Sequence, residues 1–220
     1  MALLRMGNAD LRRDRIWTWS LPAWVTTLSS GRKVNVCPSA MKCASLCYAR
    51  KGTYNFRNVK AAHLRNLECV LDDIVAWEKA MTDEVTHRKF DGAHVRIHDG
   101  GDFLSEQYLL AWLRVARSAP LTTFYCYTKE VEMFRRLVEP DAPGNFRWVY
   151  SWGGRWDHLI LDDDRQADVF PSHEALEAAG FHDQQDSDLL AIYGHHKVGI
   201  VINNHRGAIA AMEGSSFAGT

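Results

Sequence analysis

Residues 93–128 have the sequence AHVRIHDGGDFLSEQYLLAWLRVARSAPLTTFYCYT, and this stretch decides the fold class. Ala93–His98, which leads into two glycines, predicts a strand, and Thr122–Thr128, rich in β-branched and aromatic residues, predicts another. Between them, Ser105–Arg117 has apolar residues at helical spacing behind Ser105, a suitable N-cap. A strand, a helix and a strand in this order predict a right-handed unit with parallel strands.

The alternation of helices and strands continues on both sides of this unit. The further elements that the sequence predicts are a long amphipathic helix over 57–84, helices at Glu130–Val138 and Ser172–Ala179, and strands at Phe146–Trp152 and Val198–Asn203. We therefore expect an α/β fold, either a partial (β/α) barrel or an open, mostly parallel sheet. The units are too few for a full eight-fold barrel, which takes about 250 residues.

We expect one domain over residues 1–220, with three parts. Residues 1–36 should form an irregular segment rich in tryptophan, residues 37–56 a cysteine loop, and residues 57–205 the α/β core. Residues 155–197 are less regular in pattern, and the acidic runs in them indicate solvated loops.

Composition narrows the class of protein. The 220 residues are 46% hydrophobic and carry 26 Lys+Arg against 27 Asp+Glu, a formal net charge of −1, so the chain gives no strong nucleic-acid signal. No apolar run approaches the roughly 20 residues of a membrane span, and the N-terminus lacks the apolar core of a secretory signal. We expect a protein of the cytoplasm, where structural disulfides are rare, so the five cysteines need another explanation.

Three of these cysteines, Cys37, Cys43 and Cys47, share one loop with the spacing C-x5-C-x3-C. Iron–sulfur clusters take cysteine thiolates as their usual ligands. Three ligands would leave one iron of a [4Fe–4S] cluster open to a substrate or cofactor, or would suit a [3Fe–4S] cluster. The loop is thus a candidate metal site.

Two alternatives to a cluster remain open for these cysteines. A structural zinc ion usually takes four ligands, and the fourth would have to be remote, for example His98 or His205. Cysteines that bind nothing pack as small apolar residues, and this is the default expectation for Cys69 and Cys126.

Polar residues follow several of the strands, where parallel sheets form their sites. Gly100, Gly101 and Asp102 could let a ligand approach and accept hydrogen bonds from an ammonium group, although an ordinary turn explains them too. The candidates for chemistry at these strand ends, and the further residues expected to line the same face, are His98, Asp99, Lys129, Ser151–Gly154 and Asn203–His205. A histidine beside an acid could transfer protons, and a lysine could bind a carboxylate or phosphate, while a hydrogen-bonded core histidine is the alternative for His98.

The order of these features resembles the radical S-adenosylmethionine superfamily. The resemblance matches Cys37, Cys43 and Cys47 to its cluster-binding loop, Tyr48 to the aromatic residue after the loop, and Gly100, Gly101 and Asp102 to its Gly-Gly-Glu strand end. It implies a [4Fe–4S] cluster whose open iron chelates S-adenosylmethionine, with the strand end holding the cofactor's amino group. The usual spacing is C-x3-C-x2-C, so both gaps are longer here, and the acid is Asp.

A closer resemblance, over roughly residues 21–152, is to the gene product 88 family of actinobacterial phages. The matching motifs are Leu21-Pro22-Ala23, the Cys37–Ala49 run, Arg96–Trp112 and Phe124–Lys129. Members often carry a further cysteine group near the C-terminus, whereas this chain has no cysteine after Cys126. The resemblance implies a phage protein in the host cytoplasm and supplies no reaction.

Three functions are consistent with these observations. The first is a radical-type enzyme that uses a three-cysteine cluster and S-adenosylmethionine. The second is an iron–sulfur protein without such chemistry, acting in redox sensing, electron transfer or contact with a host protein. The third is a zinc-stabilised binding module. The substrate or host partner is not indicated by the sequence.

Overall fold

A computed structural model describes residues 2–202 and 216–218 of the chain. Its strands are β1 (Arg5–Met6), β2 (Ile16–Trp19), β3 (Val25–Thr27), β4 (Lys33–Asn35), β5 (His94–Ile97), β6 (Thr123–Thr128), β7 (Phe146–Ser151), β8 (Gln166–Phe170), β9 (His182–Asp183) and β10 (Lys197–Val201). Its helices are α1 (Ala9–Arg13), α2 (Lys42–Leu46), α3 (Arg57–Asp72), α4 (Ile74–Val85), α5 (Glu106–Ser118), α6 (Val131–Leu137), α7 (His173–Ala178) and α8 (Leu190–Tyr193). Short 3₁₀ turns lie at Tyr48–Arg50, Gly52–Asn55, Arg88–Phe90, Glu139–Asp141 and Asp157–Leu159.

An eight-stranded, largely parallel sheet organises these elements in the order β1-β2-β5-β6-β7-β8-β10-β9. β1 pairs antiparallel with β2, and the remaining pairs of the sheet are parallel. From β2 to β8 each strand lies beside the next main-sheet strand along the chain, which is the strand order of a barrel. Within the described residues the sheet does not close into a barrel. The prediction of an α/β fold with a mostly parallel sheet is confirmed.

Each face of the sheet is covered by different elements. One face packs on α3 to α6 through buried side chains such as Leu67, Trp77, Trp112 and Phe134. The other packs on α8, with Tyr125 and Val149 of the sheet against Ala191 and Ile192. The alternation of strand side chains between two apolar faces explains why β6 and β7 are apolar and aromatic almost throughout.

The N-terminal segment differs from the expectation of irregular structure over 1–36. It contains β1, α1, β2 and a separate hairpin of β3 and β4. β2 is an inner strand of the main sheet, and its Ile16 and Trp19 are fully buried. Ile16–Trp19 is not followed by a glycine pair such as the one after β5, so the pattern did not mark it as a strand.

Two further differences concern the predicted helix and loop. The helix predicted over 57–84 is two helices, because Asp73 has an extended backbone (φ −154°) and caps α4. The stretch 155–197, predicted as less regular, holds β8, whose Gln166 and Asp168 are buried, together with α7, β9 and α8.

Within the described part of the chain, none of the helices has the length and apolar character needed to cross a membrane.

Candidate functional site

The cysteine loop is held against the end of β7 by backbone hydrogen bonds. The amides of Met41 and Cys43 both donate to the carbonyl of Gly153, at 3.1 and 3.2 Å, and Arg155 N–H donates to Ser39 O at 2.8 Å. Ala40 and Gly154 also form an isolated antiparallel bridge. The loop therefore extends the sheet's pairing just beyond the carboxyl end of β7.

Gly153 and Gly154 are required for this close approach. Gly153 has φ +94°, and a Cβ on Gly154 would lie 2.9 Å from Lys129 Cβ and 3.2 Å from Ser39 O. Both amides donate to the Asp157 carboxylate at 2.9 Å. The glycine pair after the strand thus serves the docking of the loop.

A second attachment of the loop is a buried glutamate, Glu130, directly after β6. Its carboxylate accepts hydrogen bonds from Ser39 N–H at 2.9 Å and from Ser39 Oγ at 2.8 Å. Glu130 is 4% exposed, and burial, together with the charge of Asp102, raises its pKa to about 7. Sequence reasoning missed this residue, because a glutamate before a helix carries no distinguishing pattern.

The three cysteines of the loop lie together. Trp24 N–H donates to Cys37 Sγ at 3.3 Å, and Cys37 N–H donates to Asn35 Oδ1 at 3.1 Å. Cys47 donates a hydrogen bond to Cys43, and Cys37 is close enough to feel the charge of Cys43. Residues ten positions apart in the sequence are thus gathered into one thiol cluster, which we call the cysteine cluster.

Charge in the cysteine cluster is concentrated on Cys43. The hydrogen bond from Cys47 and the positive charge of Lys129 lower the pKa of Cys43, whereas donating that bond and being buried raise the pKa of Cys47. Burial, with the charge of Asp102, raises the pKa of Cys37 to about 12. The cysteine cluster therefore contains one thiol that ionises more readily than a free cysteine and two that ionise less readily.

Lys129 links the cysteine cluster to the neighbouring strand. Its Nζ donates to Ser151 Oγ at 2.6 Å and to Ser151 O at 3.2 Å, and it also forms a hydrogen bond with Cys43. The sequence places Lys129 and Ser151 at neighbouring strand ends, and the structure brings them into contact. Lys129 is 8% exposed, so its charge acts on the groups inside the site and not on the molecular surface.

Gly100 and Gly101 pack against the chain's own N-terminal segment. Gly100 O accepts from Leu21 N–H at 2.9 Å, and a Cβ on Gly101, whose φ is +88°, would lie 2.7 Å from Leu21 Cβ. The close approach that the sequence assigned to a ligand is therefore made by Leu21 and Pro22. The nearness of these segments could not be read from positions eighty residues apart.

Asp102 is buried and fully engaged with the protein. Its carboxylate accepts from Thr128 Oγ1 at 2.8 Å and from the amides of Lys129 and Phe103 at 2.9 and 2.8 Å, and its own amide donates to Val36 O. Burial raises its pKa despite these donors. Asp102 thereby joins β5, β6 and the start of the cysteine loop.

His98 and Asp99 point to different surroundings. His98 is 3% exposed, has φ +67°, and its Nε2 lies 2.9 Å from Tyr108 OH in an aromatic part of the core. Burial lowers its pKa to about 3, so it is neutral. Asp99 pairs with Arg96 at 3.4 Å and accepts a hydrogen bond from Tyr54, so these two candidates do not form a proton-transfer pair.

The structure gives varied outcomes for the remaining candidates. Cys126 is fully buried, as predicted, but Cys69 is exposed on α3, so the packing prediction for Cys69 is wrong. Tyr48 lies in a 3₁₀ turn, and its side chain is outside the description. Asn203–His205 lie outside the described residues, and these include His205, which the sequence offered as a possible fourth zinc ligand.

Asp168 in β8 is a buried acid that the sequence pattern did not reveal. It is 3% exposed and accepts hydrogen bonds from the amides of Phe217 and Ala218, at 3.2 and 3.0 Å. The Phe217 ring lies where a Cβ on Gly153 would be, within 2.9 Å. Asp168 thus holds residues 216–218 beside Gly153, to which the cysteine loop is hydrogen-bonded.

Each sulfur of the cysteine cluster has a hydrogen-bond partner in the protein. In the part of the chain that is described, no group of three or more His, Cys, Asp or Glu side chains is arranged so that it could hold a metal ion. The sulfurs accept N–H hydrogen bonds, from Trp24 to Cys37 and from Ala49 to Cys47, and a lysine contacts Cys43. Hydrogen bonds to sulfur are among the features that tune protein-bound clusters.

Comparison with known proteins identifies relatives of this chain. The family model described as "Gene product 88" matches residues 2–215. The "Gene 88 protein" of Mycobacterium phage L5 is 36% identical over 154 residues, which is 66% of this chain and 59% of that protein. The "Gene 88 protein" of Mycobacterium phage D29 is 34% identical over 101 residues, 42% of each chain. The matches span about half the length of these relatives, and no solved structure matches the chain significantly.

Proposed function

The chain belongs to the gene product 88 family, whose name states no reaction, and we propose from its geometry that it binds an iron–sulfur cluster through Cys37, Cys43 and Cys47. The observation that carries the proposal is the gathering of the three thiols beside Lys129, at the carboxyl end of β7. This is the edge at which parallel sheets of this strand order hold their sites.

Electrostatics supports the proposal. A buried thiol near Asp102 stays protonated, as the raised pKa of Cys37 indicates, unless a cation compensates its charge. Iron does this, and Lys129 supplies one further positive charge at Cys43. A cluster held by three cysteines would be a [3Fe–4S] cluster, or a [4Fe–4S] cluster with one iron free to bind a small molecule.

A second candidate function is a radical-type enzyme that cleaves S-adenosylmethionine. The favourable observation is the consecutive parallel order from β2 to β8, with the cysteine loop inserted after the first of these strands. Against it stands Asp102, which is buried and whose carboxylate already accepts three hydrogen bonds that tie the protein's own segments together. We therefore rank cluster binding without this reaction first, as a redox or host-contact role in the cytoplasm of the infected cell.

The test is the metal content of protein purified without oxygen. We expect about three to four iron atoms and as many sulfides per chain, with broad absorption near roughly 400 nm. Cys43→Ser should remove most of this absorption, while the matched control Cys69→Ser, which changes an exposed cysteine, should retain it. Stoichiometric zinc without visible absorption, or an equal loss in both variants, would contradict the proposal.

Electron paramagnetic resonance then separates the two functions. A three-iron signal in the oxidised protein, with no 5′-deoxyadenosine formed from S-adenosylmethionine after reduction, supports a cluster protein without radical chemistry. Formation of 5′-deoxyadenosine that depends on Cys43 supports the enzyme. Asp102→Asn would not separate the two functions, because it disturbs hydrogen bonds that hold the ends of β5 and β6 together.

A further inference from the structure

The charges of this nearly neutral chain are unevenly distributed. Residues 15–67, which include the cysteine loop, contain nine basic residues and no acidic one. The remaining 167 residues hold all 27 acidic side chains and 17 basic ones. A net charge near zero therefore hides a strongly basic region in an acidic molecule.

Eight of these basic side chains are exposed on the β3–β4 hairpin, the cysteine loop and α3, and we call them the basic surface. They are Arg32, Lys33, Lys42, Arg50, Lys51, Arg57, Lys60 and Arg65. Elsewhere, many exposed basic residues pair with carboxylates, such as Arg114 with Glu78 and Arg136 with Glu106. In the described part of the chain, the members of the basic surface other than Lys42 make no ion pair with a carboxylate.

Contacts hold the elements that carry this surface against one another. The Arg50 guanidinium stacks over the Trp24 ring, with 4.9 Å to the centroid, and donates to Ala44 O at 3.2 Å, which ties the 3₁₀ turn to the N-terminal segment and to α2. Ser29 N–H, in the turn between β3 and β4, donates to Glu68 Oε1 of α3 at 2.7 Å. Of the carboxylates near this surface, Asp102 and Glu130 are buried, Asp99 pairs with Arg96, and Glu68 accepts the hydrogen bond from Ser29.

The start of α3 adds a second, independent feature. Arg57 and Lys60 lie in its first turn, where no acid is present, and Phe56 at the N-cap makes no side-chain hydrogen bond to the helix. Cations at a helix N-terminus oppose the helix dipole, so this arrangement costs free energy unless an anion binds there. Local conflicts of this kind are found at functional positions.

Aromatic rings are exposed within the same surface. Phe56 is 58% exposed and Trp24 is 36% exposed, and the Trp24 ring is already stacked on Arg50. Positive charge that neutralises phosphates, combined with rings on which bases stack, is the chemistry that binds single strands of nucleic acid. An acidic protein partner would bind to the positive charges, and the two exposed rings would have no role in that binding.

We propose that the basic surface binds single-stranded nucleic acid. The lysines, the arginines and the amino end of α3 contact phosphates, and Trp24 and Phe56 stack on bases. The strand passes beside the cysteine loop, because Lys42, Arg50 and Lys51 belong to that loop. Binding does not depend on a metal, so this proposal stands apart from the proposed function.

The test is fluorescence anisotropy with the full chain and labelled DNA and RNA single strands of about 15 nucleotides. We expect binding whose log K falls with log salt concentration, with a slope of about −0.7 for each phosphate contacted. Lys51→Glu together with Lys60→Glu should weaken binding about tenfold at low salt. Arg88→Glu, an exposed basic residue in a 3₁₀ turn before β5, is the matched control and should leave binding unchanged.

Further measurements distinguish single-stranded nucleic acid from other ligands of the basic surface. Phe56→Ala should weaken single-strand binding about tenfold, the value of one base stack. Duplex that binds as tightly as single strand, with no effect of Phe56→Ala, would overturn the single-strand assignment. Binding of polyglutamate with no binding of either nucleic acid would overturn the proposal in favour of an acidic protein partner. Persistence of nucleic-acid binding in Cys43→Ser would show that it does not depend on the cluster.

Discussion

Single residues decide how closely the chain's segments approach one another around the cysteine loop. Gly101 shows this best. Its φ is positive, and a Cβ at this position would lie too close to Leu21 Cβ, so both features exclude a side chain. The sequence shows a glycine pair after a strand but does not show what the glycines approach. In this molecule they approach its own backbone and side chains, which ties the start of the chain to the site.

Gly101→Ala should lower the free energy of unfolding by about 1–3 kcal/mol. The left-handed backbone (φ +88°) and the 2.7 Å approach to Leu21 Cβ are both unfavourable for alanine. Urea denaturation followed by tryptophan fluorescence measures the change. Gly144→Ala is the control, because its Cβ would meet no atom within 4 Å, and it should change stability by about 0.5 kcal/mol or less. Equal effects of the two substitutions would refute the assignment.

At the scale of elements, the clearest departure from the sequence pattern is the division of one long amphipathic stretch into two helices. Asp73 stops α3 and starts α4, since its carboxylate accepts hydrogen bonds from Val75 N–H at 3.1 Å and Ala76 N–H at 2.9 Å. The apolar periodicity continues through the break, so it gives no signal of it. An aspartate followed by an apolar run was the available signal.

Asp73→Ala should lower the free energy of unfolding by about 1 kcal/mol, because two amides at the start of α4 lose their acceptor. Thermal unfolding, followed by circular dichroism at about 222 nm where the signal reports helical content, measures the change in the free energy of unfolding. Asp72→Ala removes the exposed neighbouring carboxylate and should have an effect of about 0.5 kcal/mol or less. If Asp72→Ala proved the more damaging change, the capping role would be wrong.

For the whole molecule, the sequence predicts some strands of the sheet and misses others that lie inside it. β5, β6 and β7 alternate with recognisable helices, and their order implies a parallel sheet. β2 and β8 are inner strands whose burial depends on partners far along the chain, and no local pattern marks them. Similarly, the spacing of the three cysteines marks them as candidate ligands, whereas Glu130 and Asp168 are recognised only by their burial in the fold.

The docking of the loop onto the sheet gives stability a pH dependence through Glu130. Its pKa is raised to about 7 in the folded protein and is near 4.3 in an unfolded chain. Between these values the folded state binds more protons, so stability falls as pH rises from about 4.5 to about 7. Glu130→Gln, which cannot ionise, should become more stable relative to the unchanged protein over this interval. Urea midpoints of both metal-free proteins from pH 4.5 to pH 8 measure this, and a difference that is constant with pH would exclude it.

The hydrogen bonds from the cysteine loop to Gly153 have a consequence for the order of events during synthesis. Cys43 leaves the ribosome 110 residues before Gly153, its backbone partner, and Phe217 follows later still. At a synthesis rate of about 5–20 residues per second, Gly153 is made on the order of ten seconds after the cysteine loop. During the last part of that interval Glu130 and Lys129 are already available to the loop, but its backbone partner at the end of β7 is not. The proposed cluster would therefore reach its final surroundings only after residue 153 has been made.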